Sequence, residues 1–333
     1  MSEMRFLLLI VCLVLVAAPF SWGDVAFLLE EPFGTYGAMN PTGHAAIYLS
    51  RVCVDTPTRL RRCLPGEAGA VISRYHHIAG YDWIAIPLIP YLYAVDNQQQ
   101  VPTGADSAMV ALLRDAYRRE NLANVIPDEE GGRSPKGEWP QLIGAAYDRK
   151  IFGFRIEANE TQDDQLISRL NSRSNRSHFN LLFHNCADFS RAVINFYYPK
   201  AVQRSFIADA GLTTPKQLAK SIVKFSEHHP ELRFSAFVIP QVPGTTPRSK
   251  PVHGVYESLL KSKKYVVPLT ILHPFLTSGM FAAYLVRGRF DPASYVATND
   301  STLLPQHPRV TTLSPNSAAP TEQVFDGNVS TSP

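Results

Sequence analysis

Cysteine is the residue type in this chain with the clearest covalent potential, and there are only 4: Cys12, Cys53, Cys63 and Cys186. A cysteine attacks as its thiolate, which is favoured where unpaired backbone N–H groups and a helix dipole gather positive potential. Cys186 has the local sequence of such a place. Asn185 before it is an N-cap type, and Asp188 follows that cap in the manner of a capping box. Phe189, Ala192, Val193 and Phe196 then recur at helical spacing until Pro199. Cys186 is therefore expected at the first helical position with a lowered pKa. The bland reading is a small residue buried on an apolar helix face.

A nucleophilic thiol needs an imidazole to take its proton and a polar group to hold that imidazole. His44, behind Gly43 and heading the β-rich run His44–Ser50, is the candidate base; otherwise it is a satisfied core histidine. His76, His77, Asp82 and Glu67 are the candidates for the third group. His184 stands next to Asn185 and borders the site, or simply ends a strand with a backbone hydrogen bond.

The other cysteines narrow the choice. Arg5, the apolar run Phe6–Ala18, Pro19 and the segment Ser21-Trp22-Gly23 read as a secretory signal peptide over residues 1–23. As an uncleaved anchor the run is short of the ~20 residues a span needs. Export removes Cys12 and favours pairing of Cys53 with Cys63 around a polar loop holding Pro57, Arg59, Arg61 and Arg62. Cys186 is left as the odd thiol.

The elements that would position these residues read as follows. Strands are expected at Val25–Leu29, His44–Ser50, Ala70–Arg74, Tyr81–Pro87 and Ile151–Glu157, with Phe152, Phe154 and Ile156 on one face. Helices are expected over Gly104–Arg119, with Met109, Leu112, Leu113 and Ala116 inward, over Pro140–Tyr147, and from a Thr161 cap to Asn171. Another runs from the Thr214-Pro215 cap through Phe225. The uncharged stretch Tyr265–Val286 is long enough to span a bilayer, although Pro268, His273 and Pro274 fit a buried or interfacial helical hairpin equally. From Asp291 the Ser/Thr/Pro/Asn-rich tail has little to bury and is expected to be disordered.

Two short motifs carry a resemblance. Gly43-His44-Ala45-Ala46-Ile47-Tyr48 early and Asn185-Cys186-Ala187-Asp188-Phe189 late resemble the permuted NlpC/P60 superfamily, LRAT-type branch, over roughly Asp24–Pro199. In that branch the His strand precedes the Cys helix and the nucleophile lies in an Asn-Cys-x-His-Phe motif. Asp188 stands here in place of the second His, and a carboxylate so near the sulfur opposes thiolate formation unless it caps the helix. The resemblance implies an α+β, permuted papain-like domain over residues 24–230. A C-terminal helical segment over 231–290, with a possible span at 265–286, and a tail over 291–333 would follow it.

The resemblance further implies acyl transfer through a thioester at Cys186, with helix-start N–H groups stabilising the oxyanion. The substrate would be a peptide, peptidoglycan or a lipid acyl group in a bacterial cell envelope, and the protein periplasmic or otherwise extracytoplasmic, with possible membrane association. The alternative from another class is a non-catalytic envelope module that keeps the fold for binding or assembly.

Other chemistries lack their signatures. In 333 residues the net charge is +3 and no long basic run occurs, so nucleic acid is not an expected partner. There is no G-x-S-x-G elbow, phosphate loop or HExxH spacing, and the adjacent pairs His76-His77 and His228-His229 would point to opposite faces of a strand. No metal and no cofactor is expected.

Overall fold

The computed structural model describes residues 23–34, 41–76, 78–207 and 209–296. The signal-peptide reading therefore lies outside the described residues, apart from Gly23, and so does most of the tail. The fold is α+β, built on an antiparallel sheet of six strands. In chain order the strands of the molecule are β1 (Gly23–Glu30), β2 (His44–Leu49), β3 (Val52–Thr56), β4 (Arg59–Arg62), β5 (Ala70–Ser73), β6 (Ile84–Pro87), β7 (Ile151–Ala158) and β8 (Ser235–Ile239). The main sheet runs β6-β5-β2-β1-β7-β8, while β3 and β4 form a separate hairpin.

β1 is central, so both of its faces are covered and its sequence is a continuous apolar run rather than an alternating one. Val25 to Leu29 are fully buried, and Phe27 pairs in register with Phe154 of β7, ring to ring. Glu30, at the end of β1, lies opposite His44 at the start of β2. The β3–β4 hairpin carries the disulfide Cys53–Cys63 expected from the cysteine count.

The α-helices among the described residues include α1 (Leu88–Tyr93), α2 (Ser107–Asn121), α3 (Ala145–Asp148), α4 (Glu160–Asn171), α5 (Cys186–Tyr197), α6 (Pro215–Ser226), α7 (Val255–Lys261), α8 (Lys263–Leu272) and α9 (Pro274–Ala283). α5 packs on β2 and β5, and α6 on β1 and β7. α5 buries Phe189, Val193, Ile194 and Tyr197 in the sheet core. At roughly 2 kcal/mol gross per buried large side chain, that face holds the helix start against β2. Ala192, expected on this face, is exposed.

Several expectations shift. The helix foreseen from Thr161 starts at Glu160, because Asn159 caps it and Gln162 bonds back to the Asn159 N–H at 3.1 Å. The strand foreseen from Tyr81 begins only at Ile84, since the Asn175 side chain holds the Asp82 and Trp83 N–H groups at 3.1 and 3.0 Å. Pro140–Tyr147 is two pieces, a 3-10 turn at Trp139–Leu142 and the short α3, divided by left-handed Gly144 with φ 72°.

α2 is capped by Asp106 and does not bury the face read from its spacing. Met109, Leu112 and Ala116 are exposed, while Val110, Tyr117 and Arg118 are buried. Arg118 turns that face inward by bonding the Ile126 carbonyl and pairing with Asp115 and Asp128. β8, which pairs with β7, was not foreseen. The tail, expected to be disordered from Asp291, begins with a 3-10 turn at Pro292–Tyr295, where Tyr295 stacks on Phe290.

The stretch Tyr265–Val286 is divided at His273-Pro274 into α8 and α9, which lie against each other as a hairpin. No helix among the described residues is long and apolar enough to cross a membrane. The possible span at 265–286 is thus two ten-residue helices, because proline has no N–H for the helix ladder and disfavours helical backbone in the residue before it.

Candidate active site

The capping box read from sequence is present. Asn185 Oδ1 accepts from the Asp188 N–H at 3.0 Å, and the Asp188 carboxylate faces the Asn185 N–H at 3.5 Å. Cys186 is the first residue of α5, with its side chain buried. Asp188 is turned away from the sulfur's chemistry by three demands. It closes the cap, accepts from Thr213 Oγ1 at 2.7 Å and pairs with Arg204 at 2.9 Å. The carboxylate that threatened to oppose the thiolate is a structural anchor.

His44 heads β2, the strand on which this helix packs, and lines one cavity together with Cys186. The turn before it requires glycine: Gly43 has φ 73°, and a Cβ there would meet the Glu30 carbonyl oxygen at 2.1 Å. The His44 ring stacks on Tyr75 with centroids 5.0 Å apart. Its Nε2 lies 3.0 Å from Ser73 Oγ, whose single proton is claimed by the Ala45 carbonyl oxygen at 2.6 Å. His44 must then be the donor through Nε2, which leaves Nδ1 as the nitrogen able to accept a proton.

Ser73 thus occupies the orienting position for which His76 and Asp82 were the candidates. His76 is exposed, 3.3 Å from Glu138, and edge-on to Phe179. Asp82 forms a two-pronged pair with Arg74 at 2.8 and 3.1 Å, and accepts from or faces His184 Nε2 at 3.2 Å. Arg74 in turn donates to the Asn185 carbonyl at 3.3 Å and covers the Phe189 ring. Asp82 and His184 therefore act on the turn that presents Cys186, at one remove. Glu67, an outside candidate, pairs with Arg61 on the hairpin. His77 lies outside the described residues.

Beneath His44 is a buried polar group that sequence reading missed. Glu30 is 1% exposed, bonds Arg149 at 2.8 Å and accepts from the Tyr91 hydroxyl. Arg149 also lies over the Phe33 ring. A glutamate closing an otherwise apolar strand is the available sequence signal, because a buried carboxylate demands a partner.

Electrostatics make the resting pair neutral. Burial, helped by the Arg149 charge, lowers His44 to about 3. Burial raises Cys186 to about 11, outweighing the backbone N–H groups of Ala45, Ala187 and Cys186 that favour its thiolate. The lowering foreseen from the helix start is thus corrected: desolvation of a charge costs more than three N–H dipoles return.

Cys186 sits where two cavities meet. One, of about 340 Å³, is lined by His44, Arg74, His76, Gln141 and Arg149. The other, of about 490 Å³, is lined by Leu182, Leu212, Val255, Leu259 and Tyr265 together with polar Thr213, Ser258 and Lys261. Gly43 and Cys186 border both. Comparison of the chain with protein-family models, with curated proteins and with solved structures finds no match.

Proposed function

We propose that the protein is a cysteine-dependent acyl-transfer enzyme, a thiol hydrolase or acyltransferase on a permuted papain-like domain of the NlpC/P60 type. The observation that carries this reading is the placement of Cys186. The one free thiol among the described residues, at a capped helix start that packs on a strand headed by an oriented imidazole and bordering two cavities, has the parts of a nucleophilic site.

In the proposed reaction Cys186 Sγ attacks the substrate carbonyl as its proton passes to His44 Nδ1. The two steps are concerted, because the neutral pair does not hold a standing thiolate. The backbone N–H groups at the helix start and at Ala45, which lie on the sulfur, are the donors available to the developing oxyanion. Imidazolium then protonates the leaving alcohol or amine, a thioester remains on Cys186, and water or an acceptor amine or hydroxyl releases the acyl group. Peptide, peptidoglycan and lipid acyl groups all present such a carbonyl. The Cys53–Cys63 disulfide fits an oxidising, extracytoplasmic compartment, and we place the activity in the cell envelope.

The raised thiol supports a second reading, a binding module whose Cys186 is packing alone. Acyl p-nitrophenyl esters separate the two. The enzyme releases a burst of one p-nitrophenol per chain and gains the acyl mass on Cys186, and Cys186→Ala removes both. Hydrolysis that survives in Cys186→Ala, or no acyl adduct with any chain length, overturns the catalytic reading.

A further inference from the structure

The α8–α9 hairpin shows apolar surface where a water-facing element should not. Phe275 at its tip is 93% exposed, Ile271 73% and Leu272 70%, and Tyr265, Val267, Leu276 and Phe281 are exposed as well. No charged residue lies between Tyr265 and Val286. A patch of this kind marks a surface that meets something apolar.

Charge identifies what it meets. Lys263 and Lys264 stand at the start of α8, and Arg287 and Arg289 follow α9, so both chain ends of the hairpin are basic while its tip is apolar. All four side chains are exposed, and among the described residues none of them pairs with a carboxylate. From Ser262 to Phe290 the chain has no acidic residue. A second copy of the chain would bring like charges together at that rim, whereas an anionic lipid surface neutralises them.

Length fits the same occupant. Each helix of the hairpin has 10 residues, which is ~15 Å of rise, about half of a ~30 Å hydrocarbon core. Its two threonines are satisfied locally: Thr270 Oγ1 donates to the Val266 carbonyl at 2.7 Å and Thr277 Oγ1 to that of His273 at 3.1 Å. That is the requirement for entering hydrocarbon. The base is tied to the body through Tyr284 to Glu257 at 3.2 Å, Lys220 to the carbonyls of Arg287 and Arg289, and Phe290 against Phe154.

We propose that the α8–α9 hairpin is a monotopic membrane anchor that inserts into one leaflet of an anionic bilayer, with Lys263, Lys264, Arg287 and Arg289 at the headgroups. Tyr265, at the hairpin base, lines the cavity of about 490 Å³ that reaches Cys186, so docking turns that cavity toward the bilayer. The anchor stands on its own surface and does not depend on the acyl-transfer reading.

The test uses the full chain with Phe275→Trp and vesicles of phosphatidylcholine with or without about one third phosphatidylglycerol, the anionic charge supplying the electrostatic part. Depth-placed brominated lipids should quench the new tryptophan relative to the parent chain, on the anionic vesicles only. Lys263→Glu with Lys264→Glu should weaken this quenching at least about tenfold in the lipid concentration required. An exposed tip residue leaves folding intact, and circular dichroism of each variant checks it. Any of three results overturns the proposal: a tryptophan at 275 that bound vesicles do not quench, equal quenching without anionic lipid, or a soluble dimer that Phe275→Glu with Leu276→Glu converts to monomer.

Discussion

Ser73 Oγ lies 3.0 Å from Nε2 of His44 and 2.6 Å from the carbonyl oxygen of Ala45, the residue after that histidine. One hydroxyl on β5 therefore reads the first two residues of β2 and sets which imidazole nitrogen carries the proton. Ser73→Ala is expected to lower ester turnover by about 10- to 100-fold through loss of orientation, with Ser73→Thr restoring part of it. Nitrogen-15 NMR of His44 should show the Nε2–H tautomer in the parent and a mixture in Ser73→Ala. An unchanged tautomer in Ser73→Ala removes the positioning role.

The thiol should behave as a buried one in the absence of substrate. Its alkylation rate is expected to rise with pH to a midpoint near 11, beyond the range of an exposed cysteine. Iodoacetamide kinetics between pH 7 and the highest pH at which circular dichroism is native provide the measurement. A plateau already reached near pH 8 contradicts the burial argument.

His44 should make the fold acid-sensitive. The folded chain keeps it neutral down to about pH 3, whereas the unfolded chain protonates it near 6.5. Between those values the unfolded state binds the extra proton, so its contribution is complete above pH 6.5 and is lost as pH falls toward 3. The slope is at most ~1.4 kcal/mol per pH unit. Burial raises Glu30, which acts in the opposite sense above pH 4.5, so the comparison is with His44→Gln. Urea midpoints across this range should fall less steeply in the variant.

Asp188→Ala should cost about 3 kcal/mol, since it removes the return half of the capping box and strands Arg204 and Thr213 without their acceptor. Asp188→Asn, which can still accept from Thr213, should cost less. Urea unfolding of the two variants decides, and equal losses would mean that the hydrogen bonds a neutral amide keeps contribute nothing without the charge.

The features legible in sequence are the local ones. Asn185, Asp188 and the first-position Cys186 were readable because a cap is built within four residues, and Thr214 with Pro215 likewise. The Cys53–Cys63 pair could be read because the signal-peptide reading, which sets Cys12 aside, left few alternatives. By contrast, β8 and the inward face of α2 depended on partners distant in the chain. The pattern Met109, Leu112, Ala116 has helical spacing, but Arg118 and its two aspartates decided which side faces in.

Sequence by itself determined the capped helix carrying Cys186, the Gly43-His44 strand start and the odd cysteine, because residue type and short-range hydrogen bonding suffice for each. Tertiary structure decided what surrounds them. It brought Ser73 to His44, set Arg149 and Tyr91 on Glu30, and joined two cavities at one sulfur. It also reversed the direction of the Cys186 pKa, since desolvation depends on everything packed around a group and no local motif encodes that.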